Sequence, residues 1–118
     1  MKLLAIETST RLAGVAVADG ERRAERRRQV STHSEELLPM IDEALRELGI
    51  SARDLDGVAC GAGPGSFTGL RIGLATAKGL CFALGRPLVL VSSLAALAAR
   101  APEGAEVCAV LDAYRGEV

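Results

Sequence analysis

The sequence predicts an α/β fold, one mixed sheet with helices on both faces. Three observations carry this. Apolar runs of strand length recur along the chain. The first three are joined by short turns, and short turns make an antiparallel meander. The later ones alternate with helical segments, which makes them parallel and covered on both sides. The order read from the chain is β-β-β-α-β-α-β-α-β.

The first strand is KLLAIETS (2–9), an apolar run that ends in polar residues. AGVAVADG (13–20) follows and closes on the turn pair Asp19-Gly20. ERRAERRRQV (21–30) reads as a third strand with charged faces. Residues 32–49 predict an amphipathic helix. Thr32 and Glu35 fit a capping box, Gly49 fits the stop, and Leu37, Leu38, Ile41, Leu45 and Leu48 form one stripe. Pro39 removes one helical hydrogen bond, so a kink or a late start is expected there. DGVACGAG (56–63) is a short buried strand, 66–85 a long helix capped by Ser66, and RPLVLV (86–91) another buried strand. A helix over 92–100 and a strand over 106–113 complete the pattern.

The chain has 118 residues, one ordinary domain by length, and 49% of them are hydrophobic, enough to bury a core. The net charge of -1 gives no general pull toward nucleic acid or membrane. With no Trp and only 3% aromatic residues, no platform for stacking bases is visible. Cys60, Cys81 and Cys108 are widely spaced and read as reduced thiols of a cytoplasmic protein. No signal core opens the chain, and the longest apolar stretch, 87–99, is too short to span a bilayer.

GAGPGSFTGLRIG (61–73) is the segment that most suggests a ligand. The phosphate-loop pattern fails because no lysine follows the glycines, and the dinucleotide pattern fails because Ser66 or Thr68 occupies its last position. Backbone N–H groups at the helix start leave anion binding as a minor reading. Packing explains the segment better. Gly63, Pro64 and Gly65 make a tight turn, while Gly69, Gly73 and Ala77 recur every four residues on one helical face. Ala75, Gly79 and Ala83 repeat the rhythm on a neighbouring face. Helical glycine costs about 1 kcal/mol relative to alanine, which makes sense where something packs very close.

Other candidates are weaker. RRAERRR (22–28) reads as a surface strand kept soluble by charge, with an RNA contact as the alternative. His33 reads as a surface residue at a helix start, and Ser92-Ser93 as a cap rather than a nucleophile. Glu7 and Asp112 each end a strand, in the similar segments LAIETS and AVLDAY. That repeat suggests a supersecondary unit begun twice, and so a fragment of a longer two-lobed protein: a lobe over 1–105 and the start of a second over 106–118.

LLAIETSTRLAGVAV, THSEELLPMI, GVACGAGPGSFTGLRIGLATAKGL, PLVLVSSLAALA and VLDAYRGEV, taken in order, resemble the N-terminal lobe of the TsaB (YeaZ) family. The resemblance implies an actin-like ATPase (ribonuclease H-like) lobe with a five-stranded sheet. It also implies a role in making N6-threonylcarbamoyladenosine at tRNA position 37. The implied partners are the catalytic subunit TsaD, the ATPase TsaE and, through first-lobe helices, a second copy. Contact with tRNA would be indirect, through the complex, and no membrane is involved.

The chain departs from TsaD, which carries metal-binding histidines after the strand that follows the long helix. Here Ser92 to Leu97 offer no imidazole or carboxylate, and Thr10-Arg11-Leu12-Ala13 stands where TsaD has CDET. No catalytic, cofactor or metal residue is therefore expected. Leu37, Leu38, Ile41, Leu45, Gly69, Gly73 and Ala77 are expected at the partner interface. The rival readings are a metal-dependent transferase or M22-type glycoprotease-like enzyme, and an ATP-binding sugar-kinase-like lobe.

Overall fold

A computed structural model describes residues 1–29 and 33–99, with backbone only for residues 33–35. The Thr32/Glu35 capping box, the His33 side chain, Cys108, Asp112 and the strand expected at 106–113 lie outside the described residues.

Strands β1 (Lys2–Glu7), β2 (Leu12–Asp19) and β3 (Arg22–Gln29) form the antiparallel meander. Helix α1 (His33–Leu48) follows, and a 3-10 turn at Ala52–Asp54 leads into β4 (Gly57–Gly61). Helix α2 (Phe67–Leu84), β5 (Leu88–Val91) and α3 (Ser93–Ala98) complete the described chain. The sheet order is β3-β2-β1-β4-β5, with β4 parallel to β1 and β5 parallel to β4. The mixed five-stranded sheet expected from the sequence is the one observed.

Alternation decides where each strand residue goes. Leu4 and Ile6 of β1, Val15 and Val17 of β2, Ala24 of β3 and Val58 and Cys60 of β4 face the helices and are buried. Helix α1 lies over β2 and β3, and α2 over β4 and β1. Leu37, Met40, Ile41, Ala44, Leu45 and Leu48 supply the α1 side of this core. The opposite face is floored by Ala5, Gly14, Ala16, Ala59 and Gly61, with Ala96 of α3 above it. That is where the second helical layer begins.

Helix α1 runs through Pro39 without the late start expected there. Pro39 is exposed, so the missing hydrogen bond is on the solvent side. Ser66 caps α2 by accepting from Gly69 N at 3.2 Å, and Gly85 ends it with φ 65°. Among the described residues, α2, with 18 residues and mean hydropathy 1.2, is long and apolar enough to cross a bilayer by length and composition. Its buried stripe of Gly69, Gly73, Ala77 and Cys81 is packed on the sheet instead.

The arginine run on β3 is largely explained by α1. Arg26 pairs with Glu47 at 2.8 Å, and Arg28 with Glu36 and Glu43 at 3.2 and 2.5 Å. Arg22 donates to the Leu48 carbonyl at 2.8 Å, so this cation also satisfies the C-terminus of α1. The even-numbered arginines thus face the acidic flank of the helix, as the surface-strand reading expects.

Both described cysteines are free and buried. Burial pushes the Cys60 thiol up, and the nearby Glu7 charge adds to this, while burial alone raises Cys81. With Cys108→Ser to leave these two, labelling by an aromatic disulfide at pH 8 will be slow until denaturant is added. Raised folded-state values mean that the thiols' contribution to stability is present below about pH 8.5 and declines as pH rises further. Rapid native-state labelling at pH 8 would contradict this packing.

Candidate functional site

The C-terminal end of β1 and the glycine-rich segment form one interlocked unit. Glu7, Thr8 and Ser9 each meet a glycine. A Cβ at Gly61 would overlap the Glu7 carboxylate, one at Gly73 the Thr8 hydroxyl, and one at Gly65 the Ser9 carbonyl. Ser9 and Thr8 thus leave no room for a side chain at Gly65 and Gly73, and a side chain at Gly61 would have to displace the end of Glu7.

Hydrogen bonds hold the unit together. Thr8, fully buried, donates its hydroxyl to the Gly69 carbonyl at 2.6 Å, in the first turn of α2. Ser66 N donates to the Ser9 carbonyl at 2.6 Å. Ser93 Oγ donates to Glu7 Oε1 at 2.7 Å and accepts from Gly63 N at 3.1 Å. Ser93 thus ties β1, the Gly63–Gly65 turn and α3 to one hydroxyl. Nothing in the sequence marked Ser93 for this, because the bond spans 86 residues. Ser92 is the helix cap, accepting from Ala95 N at 3.3 Å.

This arrangement answers the phosphate question. The N–H groups of Gly63, Ser66 and Gly69 already donate to Ser93, Ser9 and Ser66. Gly63 has φ 95°, as the turn requires, and its peptide bond to Pro64 is cis. The turn aims α2, and the chain itself uses much of its donor capacity.

Beside this unit lie two adjoining depressions on the open sheet face, about 300 and 390 Å3 in volume. Glu7, Gly14, Glu25, Arg27 and Ala96 line both. Arg27 bonds Glu25 at 3.2 Å. Among the described residues no three His, Cys, Asp or Glu side chains converge as a metal would need.

The residues expected at a partner interface need correction. Leu37, Ile41, Leu45 and Ala77 are core residues, and Gly69 and Gly73 are buried too. The close neighbour that the Gly69/Gly73/Ala77 rhythm predicted is the chain's own β1 end. Of the seven, only Leu38 is exposed, at 58%. The second rhythm is the outward one: Ala75, Gly79 and Ala83 are all exposed, and none of the described residues lies within 4 Å of the place a Gly79 Cβ would occupy. Phe82, 93% exposed, sits on the same side of α2.

The sheet order and helix placement define an α/β lobe of the actin-like class. A family model for TsaD, tRNA N6-adenosine threonylcarbamoyltransferase, matches residues 27–118. The TsaB protein of Haemophilus influenzae, a "tRNA threonylcarbamoyladenosine biosynthesis protein", is 40% identical over 122 residues, spanning 100% of this chain and 52% of its own length. The transferase of Erythrobacter litoralis is 42% identical over 62 residues, 52% of this chain. YeaZ from Pseudomonas aeruginosa superposes with a TM-score of 0.82 at 42% identity, over 85% of this chain and 49% of that structure. The chain belongs to this threonylcarbamoyladenosine family, and its similarity extends end to end with members named TsaB. It spans about half the length of the TsaB and YeaZ relatives it matches.

Proposed function

We propose that the chain is part of a non-catalytic, cytoplasmic subunit in tRNA threonylcarbamoyladenosine biosynthesis, a scaffold for the catalytic TsaD subunit. The observation that carries this reading is Gly79. A glycine within an exposed helix costs about 1 kcal/mol relative to alanine, and no neighbour among the described residues requires it. With Ala75 and Ala83 it forms a small-residue track over which a second helix can approach closely. Exposed Leu38 and Phe82 supply apolar area for the same contact. A TsaD helix pair is the proposed occupant, with TsaE joining that pair and tRNA reached through the complex.

The non-catalytic part rests on chemistry. Where the resembled transferase carries histidines, this chain has Ser92 to Leu97, and there Ser92 caps a helix while Ser93 braces Glu7. Neither serine has an imidazole beside it in that run to activate it. The test is reconstitution of threonylcarbamoyl transfer to tRNA. The chain alone will give no product, and adding it to TsaD and TsaE supplied with the activated threonylcarbamoyl donor will raise the yield. Product formed by the chain alone would establish the enzyme reading instead.

A further inference from the structure

We propose that the free edge of β5 receives an extended, acidic and apolar segment of a partner protein, adding a strand to the sheet. This surface adjoins the outward track of Ala75, Gly79 and Ala83 without including it.

Backbone direction is the first argument. β5 closes one end of the sheet. The Pro87 and Val91 carbonyls accept from Val58 N and Ala62 N on β4, at 3.1 and 2.8 Å. Strand alternation then aims the N–H and C=O groups of Leu88 and Leu90 away from β4. Among the described residues no hydrogen bond reaches those groups.

The two edges of the sheet also differ. β3 carries six charged side chains, the usual protection against strand addition. β5 reads Leu-Val-Leu-Val, with Val89, Leu90 and Val91 exposed. Next to that edge, Phe67, Leu70, Arg71 and Leu74 of α2 join Leu90 around a pocket of about 260 Å3. An added strand would place every second side chain on this side of the sheet, so the pocket fits one apolar anchor.

Charge selects the partner. From Gly57 to Ala99 the chain has no Asp or Glu, but it has Arg71, Lys78 and Arg86. Arg71 lies 5.3 Å from the Phe67 ring centre and has no ion pair among the described residues. Among the described residues the ion pairs lie between Asp19 and Glu47, at the other end of the sheet. Pairing β5 with β5 of a second copy would bring like-charged arginines together, whereas an acidic strand would neutralise them.

The test titrates the isotopically labelled full chain with an acetylated peptide of alternating glutamate and valine. Binding will slow hydrogen exchange at the Leu88 and Leu90 amides about tenfold or more, leaving Val89 and Val91 unchanged. Leu90→Pro removes an outward N–H without touching the β4 ladder and will abolish that binding. Arg71→Glu, which leaves the backbone intact, will weaken it about fivefold and favour a lysine–valine peptide. Unaltered exchange at Leu88 and Leu90 overturns the proposal. So does displacement of the peptide by a short RNA, or self-association of the chain that Leu90→Pro removes. Protection that exists without peptide and vanishes when the 106–113 sequence is scrambled would assign the edge to the chain's own continuation and equally overturn it.

Discussion

Gly73→Leu will strongly destabilise the fold. A side chain at this position starts inside the space of the Thr8 hydroxyl, and Thr8 is itself fully buried. Either α2 lifts from β1, breaking the Thr8–Gly69 bond of 2.6 Å, or the leucine is forced into a filled core. Overpacking costs about 1–3 kcal/mol, and a buried hydroxyl left without its partner about 1–3 kcal/mol more. Against a total stability of about 5–15 kcal/mol, the variant will be mostly insoluble or will show a much lower urea midpoint. Gly73→Ala will show a smaller loss of the same kind. A normal unfolding curve for Gly73→Leu would mean that the face does not meet β1.

The second large effect is at Gly61. Valine there collides with the Glu7 carboxylate, which is held by Ser93 Oγ at 2.7 Å and Ser9 N at 3.3 Å. Displacing Glu7 releases Ser93, and through it the Gly63 amide. The expected loss is about 2–4 kcal/mol by urea denaturation. Because the two positions share one space, the changes will not add: Gly61→Val in a Glu7→Ala background will lose clearly less than in the parent. Equal losses in both backgrounds would remove Glu7 as the reason for the glycine.

Much of the fold could be read from local periodicity. The β2–β3 turn pair, the leucine stripe of α1 and the Ser66 cap are signals within a few residues of each other. They placed every described strand and helix to within about two residues of its observed ends. The candidate site was less legible. Gly69/Gly73/Ala77 and Ala75/Gly79/Ala83 have the same spacing, and no helical pattern says which of two equal tracks faces the sheet. That choice is made by Thr8, some sixty residues away in sequence. The arginine run was better marked. Glu36, Glu43 and Glu47 fall on one flank of α1, seven and four residues apart, and could have been matched to the even-numbered arginines of β3.

The division of labour between the two tracks is tested most directly by comparing Gly79→Leu with Gly73→Leu in co-purification with TsaD. Gly79→Leu will fold with an unchanged urea midpoint, because open space surrounds the new side chain, and will lose TsaD association about tenfold or more. Gly73→Leu will instead lose stability, with a much lower urea midpoint. Gly79→Leu that folds and still binds TsaD as tightly as the parent would contradict the account.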